Sequence, residues 1–115
     1  DRKDRQAFEE TMRGERFDAA IDMICFDGAD AESDLRAFRG VTHFVNISSV
    51  ATLGGEPAEL PMAASSPRRP GDAYALGKAA ADEVLFAAHA RGELPLTTFM
   101  PAQPWGRQPR LLRQL

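Results

Sequence analysis

The sequence predicts an α/β domain built around a parallel sheet. Three apolar stretches typical of strands alternate with stretches typical of helices, and most connections between them are short. Strands that are separated by helices pair in parallel through right-handed crossovers. The chain has 115 residues, which is enough for one domain with its own core.

Three segments predict the helices. Residues 4–13 begin at Asp4 and residues 31–39 follow Asp30, and both aspartates are potential N-caps. The longest helix is predicted over residues 74–91, which are rich in alanine and precede a glycine. In each segment the apolar residues recur at a spacing that places them on one face.

Three further segments predict the strands, over residues 17–26, 43–48 and 94–100. The first is predicted to be buried, with Ile21 and Met23 near its middle. In parallel sheets, binding and catalytic groups collect at the carboxyl ends of the strands. The residues predicted at those ends are Cys25-Phe26, Ser48-Ser49 and Pro101-Ala102.

A long loop connects two of the polar positions. Residues 50–72 are rich in Gly, Pro, Ser and Ala, and loops of this length in compact domains are often functional. The loop leaves the strand end that carries Ser49 and leads to the helix that carries Tyr74. Within it, Arg68 and Arg69 are interpreted as solvated residues.

Tyr74 and Lys78 are spaced to act together. Residues four apart lie on one helix face, so the ammonium group can lie close to the phenol oxygen. A tyrosine hydroxyl titrates at about pH 10 in isolation, and lowering that value to about 7 takes roughly 4 kcal/mol of preferential stabilisation of the phenolate. A neighbouring cation in a partly dry site is the usual means. With Ser48 and Ser49 upstream, the pattern favours proton transfer beside a nicotinamide cofactor over the alternative of an interface tyrosine and a solvated lysine.

Charge and composition argue against several classes of protein. The formal net charge is −3, which disfavours general nucleic-acid binding, and no apolar run is long enough to span a bilayer. Cys25 is the sole cysteine, so no internal disulfide can form, and we expect a cytoplasmic protein. His43 and His89 do not belong to a metal-binding pattern, and no metal site is expected.

Four segments, in their order along the chain, resemble one known family. They are residues 1–4 (Asp-Arg-Lys-Asp), 43–49 (His-Phe-Val-Asn-Ile-Ser-Ser), 74–78 (Tyr-Ala-Leu-Gly-Lys) and 96–106 (Leu-Thr-Thr-Phe-Met-Pro-Ala-Gln-Pro-Trp-Gly). They look like the Asp-x-x-Asp run after the family's third strand, its fifth strand with a Ser/Thr, its Tyr-x-x-x-Lys motif, and its sixth strand with an Arg-Pro-x-x-x-Tyr-Gly segment. On these motifs the chain is identified as a member of the extended short-chain dehydrogenase/reductase superfamily, in its NAD-dependent epimerase/dehydratase group.

The resemblance implies a partial Rossmann-like, doubly wound parallel sheet. The chain would supply strands four to six with their crossover helices, and the first βαβαβ half, which carries the Gly-x-x-Gly-x-x-Gly phosphate loop, would be missing. Residues 1–115 would then be the C-terminal half of an NAD(P)-binding domain in a longer protein, and residues from about 103 would begin its substrate-binding region. Residues 17–26 would present a bare apolar edge, because in this order strand four pairs with strand one.

The resemblance also implies roles for individual residues. Ser49 matches the hydroxyl that hydrogen-bonds the reacting substrate oxygen, and Ser48 is the nearby alternative. Tyr74 matches the general acid/base and is also expected to contact the cofactor. Lys78 matches the residue that binds the nicotinamide ribose hydroxyls and stabilises the phenolate. The remaining cofactor contacts implied are Asp1, at the adenine, and Pro101 and Ala102, beside the nicotinamide.

Two hypotheses for function follow. Related enzymes use NAD or NADP to move a hydride to or from a sugar carbon, often on a nucleotide sugar, and then epimerise, dehydrate or reduce; many are homodimers. Met100 stands where the family usually has arginine and Leu53 where it often has an aromatic residue, which favours an atypical branch, similar to reductase-like or chloroplast stem-loop RNA-binding-like members. The first hypothesis is an NAD(P)-dependent epimerase/dehydratase-type or reductase-type oxidoreductase. The second is a non-catalytic member that binds RNA or a protein partner. On their own, the 115 residues are expected to bind NAD poorly and to be inactive, because they lack the phosphate loop.

Overall fold

The computed structural model describes residues 1–56 and 60–103. In chain order their elements are α1 (Arg5–Arg13), β1 (Ala19–Asp22), α2 (Gly28–Ala37), β2 (His43–Ile47), the short 3-10 helix η1 (Val50–Leu53), α3 (Ala73–Ala90) and β3 (Leu96–Phe99). The three strands form one sheet in the order β1-β2-β3, and both pairings are parallel. The predicted α/β class, with part of a Rossmann-like sheet, is confirmed.

The strand register brings the carboxyl ends of the strands to one edge of the sheet. Asp22 of β1 lies opposite Asn46 of β2, which lies opposite Thr98 of β3. Beyond the strands, the backbone N–H of Ser48 donates to the carbonyl of Phe99 over 2.8 Å. The segments that follow β2 and β3 therefore remain side by side past the sheet, where functional groups of parallel sheets collect.

The core lies between the sheet and the two helices α2 and α3. Phe44 of β2 and Leu85 of α3 are its largest fully buried apolar side chains, and each such burial stabilises the fold by roughly 1.5–3 kcal/mol. The buried apolar residues that form this cluster are Cys25, Ala31, Val41, Phe44, Ala81, Leu85, Ala88 and Leu94. The alanines allow α3 to pack closely on α2, because they occupy little space at the helix surface.

The start of α2 differs from the prediction. Asp27, not Asp30, is the N-cap, and its carboxylate accepts a hydrogen bond from the Asp30 N–H over 2.8 Å. Asp30 lies inside the helix, where its side chain accepts hydrogen bonds from the Phe26 N–H and the Arg5 guanidinium. Two aspartates three residues apart can both cap a helix. Contacts with α1 and with the segment after β1 occupy the Asp30 carboxylate, so it does not cap the helix.

The first strand is shorter and more exposed than predicted. β1 ends at Asp22, whose carboxylate accepts a hydrogen bond from the Ile24 N–H over 2.6 Å and so turns the chain out of the sheet. Ile21 and Met23 are 67% and 68% exposed, so the prediction that they are buried is wrong. β1 is one of the two outer strands of the sheet that residues 1–56 and 60–103 form, as the predicted apolar edge requires.

The long loop folds back onto its own beginning. After η1, the Arg69 N–H donates to the Thr52 carbonyl over 3.1 Å. Gly54 has a φ of 90°, and a Cβ at this position would lie 2.4 Å from the Arg69 carbonyl oxygen, so only glycine fits. Residues 104–115, most of the region expected to begin substrate binding, lie outside the described residues.

Candidate active site

The first turns of α3 hold the two residues of the Tyr-x-x-x-Lys motif. Asp72 caps the helix by accepting a hydrogen bond from the Ala75 N–H over 2.8 Å. Lys78 is only 2% exposed, and its Nζ donates to the carbonyl oxygen of Ile47 over 2.8 Å. Tyr74, one turn earlier, is 48% exposed. The helix therefore delivers a buried amine to the carboxyl end of β2 and presents a phenol to the surface beside it.

Phe26 connects the two residues of the motif. Its ring centroid lies 6.4 Å from that of Tyr74 and 5.1 Å from Lys78 Nζ, a distance at which a cation is attracted to an aromatic face. A Cβ at Gly77 would lie 2.4 Å from the Phe26 carbonyl oxygen, so α3 packs directly on this backbone. The sequence marked Phe26 only as a strand-end residue and gave no signal for these contacts.

The two serines after β2 have different surroundings. Ser48 is 3% exposed, and its hydroxyl donates to the Asp82 carboxylate over 2.7 Å. Ser49 is partly exposed, and its Oγ accepts a hydrogen bond from the Ala51 N–H over 3.2 Å, which leaves its hydroxyl proton free to donate. Of the two, Ser49 is the more accessible.

The structure brings the three predicted catalytic residues to one end of the sheet without direct contact. Among residues 1–56 and 60–103, no hydrogen bond joins the side chains of Ser49, Tyr74 and Lys78 to one another. Lys78 contacts the strand end two residues before Ser49, and it shares Phe26 with Tyr74.

A buried acid that the sequence interpretation missed lies one turn beyond Lys78. Asp82 is 1% exposed and accepts hydrogen bonds from Asn46 Nδ2 over 2.9 Å and from Ser48 Oγ. Its carboxylate also lies 3.0 Å from Arg68 Nη1. The available signal was its spacing, because residue 82 falls on the same helix face as Tyr74 and Lys78.

Arg68 is an integral part of this region, so its interpretation as a solvated residue is wrong. Its side chain is 22% exposed, and besides Asp82 it donates to the Thr52 hydroxyl of η1. Its Nη1 lies 3.6 Å from Met100 Sδ, which puts a guanidinium group beside the position where the family usually has arginine. Thr52 in turn donates to the carbonyl oxygen of Ser49 over 2.9 Å.

The other predicted cofactor residues lie at two separate places. The Pro101 carbonyl accepts a hydrogen bond from the Val50 N–H over 3.2 Å, so Pro101 and the exposed Ala102 lie beside the segment that carries Ser49. Asp1 is exposed, and its carboxylate accepts a hydrogen bond from the Lys3 N–H. It lines a surface depression between the start of the chain, α1 and the segment after β1, together with Phe8 and Ile24.

A second buried polar group lies beneath the β1 end. A carboxylate oxygen of Asp22, the Sγ of Cys25 and a carboxylate oxygen of Asp34, all atoms that can bind a metal, lie within 4.8 Å of one another. Arg2 lies 2.8 Å from the Asp34 carboxylate and 3.5 Å from that of Asp22, so a guanidinium already supplies the positive charge that a metal ion would bring. Burial, reinforced by repulsion from Asp22, raises the pKa of Asp34 to about 8 despite Arg2. Burial also raises the pKa of the Cys25 thiol, which makes it a poor nucleophile.

Asp34 should therefore contribute a stabilisation of the folded chain that falls as the pH rises from about 4 to about 8. Between the unfolded pKa of 3.8 and the folded pKa of about 8, the folded chain keeps a proton on Asp34 that the unfolded chain has released. The stabilisation is fully present below the lower value and is lost through the upper one, at up to about 1.4 kcal/mol per pH unit. Asp34→Asn should abolish this contribution to the pH dependence and raise the free energy of unfolding by about 1–3 kcal/mol at pH 8. Urea unfolding at several pH values tests this, with exposed Glu10→Gln as control; a pH dependence that persists unchanged in Asp34→Asn would contradict it.

Comparison with known proteins identifies the family. The family model described as "NAD dependent epimerase/dehydratase family" matches residues 31–114. The chain belongs to this family. Over 92 residues it is 36% identical to 2'-dehydrokanamycin reductase from Streptomyces kanamyceticus, a match that covers 80% of the chain and 26% of the reductase.

Solved structures share the fold. The UDP-Glc/GlcNAc 4-epimerase from Campylobacter jejuni superposes with a TM-score of 0.66 at 25% identity, over 85% of the chain and 35% of the epimerase. The Bordetella bronchiseptica enzyme WbmG, solved in complex with NAD and UDP, gives a TM-score of 0.64 at 18% identity over 86% of the chain and 35% of WbmG. The chain thus spans about a quarter of the curated relative and about a third of these structures. In the part of the chain that the structure describes, no helix has the length and apolar character needed to cross a membrane.

Proposed function

We propose that this chain carries the proton-transfer centre of an NAD(P)-dependent oxidoreductase that acts on a sugar or nucleotide sugar. The observation that carries the proposal is the position of Lys78: a buried amine, fixed by the Ile47 carbonyl at the carboxyl end of β2, one turn from an exposed tyrosine. A lysine is costly to bury without a functional or structural reason. The chain belongs to the NAD-dependent epimerase/dehydratase family, and cofactor binding in that family is a functional reason for burying Lys78.

The residues present fit a nicotinamide cofactor. An ammonium group has three N–H donors, and the Ile47 carbonyl takes one of those on Lys78, which leaves two for the hydroxyls of a ribose. Pro101 and Ala102, next to the Ser49 segment, would lie against the nicotinamide, and Asp1 would reach the adenine. NAD(P), when bound, supplies the hydride acceptor or donor.

Each of the three side chains has a separate task in the proposed reaction. In the oxidation direction, the Tyr74 oxygen takes the proton of the substrate hydroxyl as the carbon loses its hydride, and in reduction it returns that proton to the carbonyl oxygen. Ser49 donates a hydrogen bond to the same substrate oxygen and holds it in place. The positive charge of Lys78 stabilises the phenolate form of Tyr74.

The relatives favour reduction of a sugar ketone. The relative at 36% identity is named 2'-dehydrokanamycin reductase, and the Campylobacter enzyme is named a UDP-Glc/GlcNAc 4-epimerase. The first name describes a reduction and the second an epimerisation of UDP-sugars. We place the protein in the cytoplasm, because its single cysteine is buried and free, as in proteins of reducing compartments.

The experiment is a cofactor assay on the full gene product. NADH and NADPH oxidation would be followed with a 2'-dehydro aminoglycoside, a 4-keto nucleotide sugar and a buffer control, and UDP-glucose would be tested for epimerisation. We expect turnover with at least one keto sugar, well above the buffer control. Failure to bind either cofactor, together with binding of RNA or of a protein partner, would contradict the proposal and support the non-catalytic alternative.

A further inference from the structure

We propose that the buried pair Arg68–Asp82 is a positioning element that fixes the Tyr74–Lys78 turns of α3 against the Ser49 end of β2. This inference rests on the proposed function. Neither residue is implied by the Tyr-x-x-x-Lys motif, and Asp82 is too deeply buried to touch a substrate, at 1% exposed. Its role must therefore be exerted through the residues that it holds.

Two consecutive turns of α3 are anchored to consecutive residues at the end of β2. Lys78 donates to the Ile47 carbonyl, and Asp82 accepts from the Ser48 hydroxyl, over 2.8 Å and 2.7 Å. Asn46, one residue further back, donates to the other oxygen of Asp82. Because side chains four apart lie on one helix face, these contacts fix both the rotation of α3 and its position along its axis. Tyr74, one turn before Lys78, is placed by the same two constraints.

Arg68 extends this anchoring to Ser49. Its Nη1 both contacts the Asp82 carboxylate and donates to the Thr52 hydroxyl. Thr52, which is fully buried, donates in turn to the Ser49 carbonyl. One side chain from the long loop thus connects the helix of Tyr74 and Lys78 to the backbone of Ser49.

Charge explains why arginine is required at this point. A buried carboxylate is costly unless a cation pairs with it. Within residues 1–56 and 60–103, Arg68 is the one cationic side chain that forms an ion pair with Asp82. Removing its guanidinium would leave Asp82 with only the neutral donors Asn46 and Ser48, and we expect α3 to shift so that water can reach the carboxylate.

Met100 offers a second route for a cation into the same place. Its Sδ lies 3.6 Å from Arg68 Nη1, which itself lies 3.0 Å from the Asp82 carboxylate. The side chain introduced by Met100→Arg extends beyond the δ position. It would reach the space that the Arg68 guanidinium leaves in Arg68→Met. The double substitution Arg68→Met/Met100→Arg therefore restores the charge from the residue that follows β3 instead of from the long loop.

The test compares four forms of the full gene product: wild type, Arg68→Met, Arg68→Met/Met100→Arg, and the control Arg36→Met. The control breaks another arginine–carboxylate pair, in which Arg36 lies 3.0 Å from Glu9 between α2 and α1. The readouts are dissociation constants for NADH and NADPH by calorimetry, amide deuterium exchange of residues 74–78, and the melting temperature. Neither exchange nor calorimetry requires the substrate to be known.

We expect Arg68→Met to weaken binding of the preferred cofactor roughly tenfold and to speed exchange at residues 74–78 roughly tenfold, because small displacements of positioning groups have large effects. The double variant should return both values to within about threefold of wild type. Arg36→Met should lower the melting temperature. Its cofactor affinity and the amide exchange of residues 74–78 should stay within about twofold of wild type.

Three results would overturn the proposal: wild-type exchange and affinity in Arg68→Met, equal changes in the Arg36→Met control, or no recovery in a folded double variant. If the wild-type protein binds neither NADH nor NADPH, the proposed function fails. The exchange of residues 74–78 would then still decide whether Arg68 positions α3.

Discussion

Replacing Tyr74 by phenylalanine should lower the turnover number of the full gene product by about 10²–10⁴-fold, the usual contribution of a positioned general acid/base. The substitution removes one oxygen and keeps the ring. Because Tyr74 is 48% exposed and packs against Phe26 through that ring, its neighbours should not move. We therefore expect the loss in kcat at nearly unchanged cofactor affinity and melting temperature.

The matching control lies two residues further along the same helix. Leu76 is 57% exposed, so Leu76→Ala disturbs the first turns of α3 without touching a proposed functional group. Its kcat should stay within about twofold of wild type, as is usual for exposed positions. Turnover that is equally high in Tyr74→Phe would remove the phenol from the chemistry and leave Ser49 as the remaining candidate for contact with the substrate oxygen.

Substitution of Lys78 by methionine should affect both cofactor binding and catalysis. Methionine has a similar length and no charge, so the Ile47 carbonyl loses its donor, and two N–H groups proposed for the ribose hydroxyls disappear. We expect NADH or NADPH affinity to fall about 10–100-fold and kcat to fall by at least about 10²-fold, because the phenolate loses its stabilising charge. The unpaired carbonyl should also lower the free energy of unfolding by about 1–3 kcal/mol.

Lys3 provides the control, because Lys3 and Lys78 are the two lysines of the chain and Lys3 is exposed. Lys3→Met makes the same change of side chain outside the site. Its affinity and kcat should match wild type. If Lys78→Met binds cofactor and turns over like Lys3→Met, the buried amine has a structural role only, and the central observation behind the proposed function loses its force.

The parts of the fold that could be predicted depend on contacts between residues close in sequence or on the regular spacing of residues along a helix. The α3 helix was predicted within one residue at each end, because an alanine-rich stretch lies between Asp72 and Gly92. The convergence of Tyr74 and Lys78 at the end of β2 follows from their four-residue spacing and from the rule that parallel strands end at one edge. Both inferences require only local pattern and general topology.

The parts that could not be predicted depend on distant partners. The exposure of Ile21 depends on what covers its face of the sheet, and no property of the strand itself reveals that. The choice of Asp27 over Asp30 as a cap involves Arg5, which lies more than twenty residues earlier. Arg68 looked like a solvated residue because its contact with Asp82 exists only after the long loop has folded back onto η1.

Tyr74, Lys78 and Asp82 belong to one uninterrupted helix, and this continuity constrains the number of residues between them more strictly than their types. Inserting or deleting a single residue in this stretch would rotate everything beyond it by about 100°. The carboxylate would then swing away from the end of β2 while the phenol stayed in place. Homologues that keep this chemistry should therefore vary freely at outward positions such as the exposed Leu76, yet show no gaps between Tyr74 and Asp82 when their sequences are aligned.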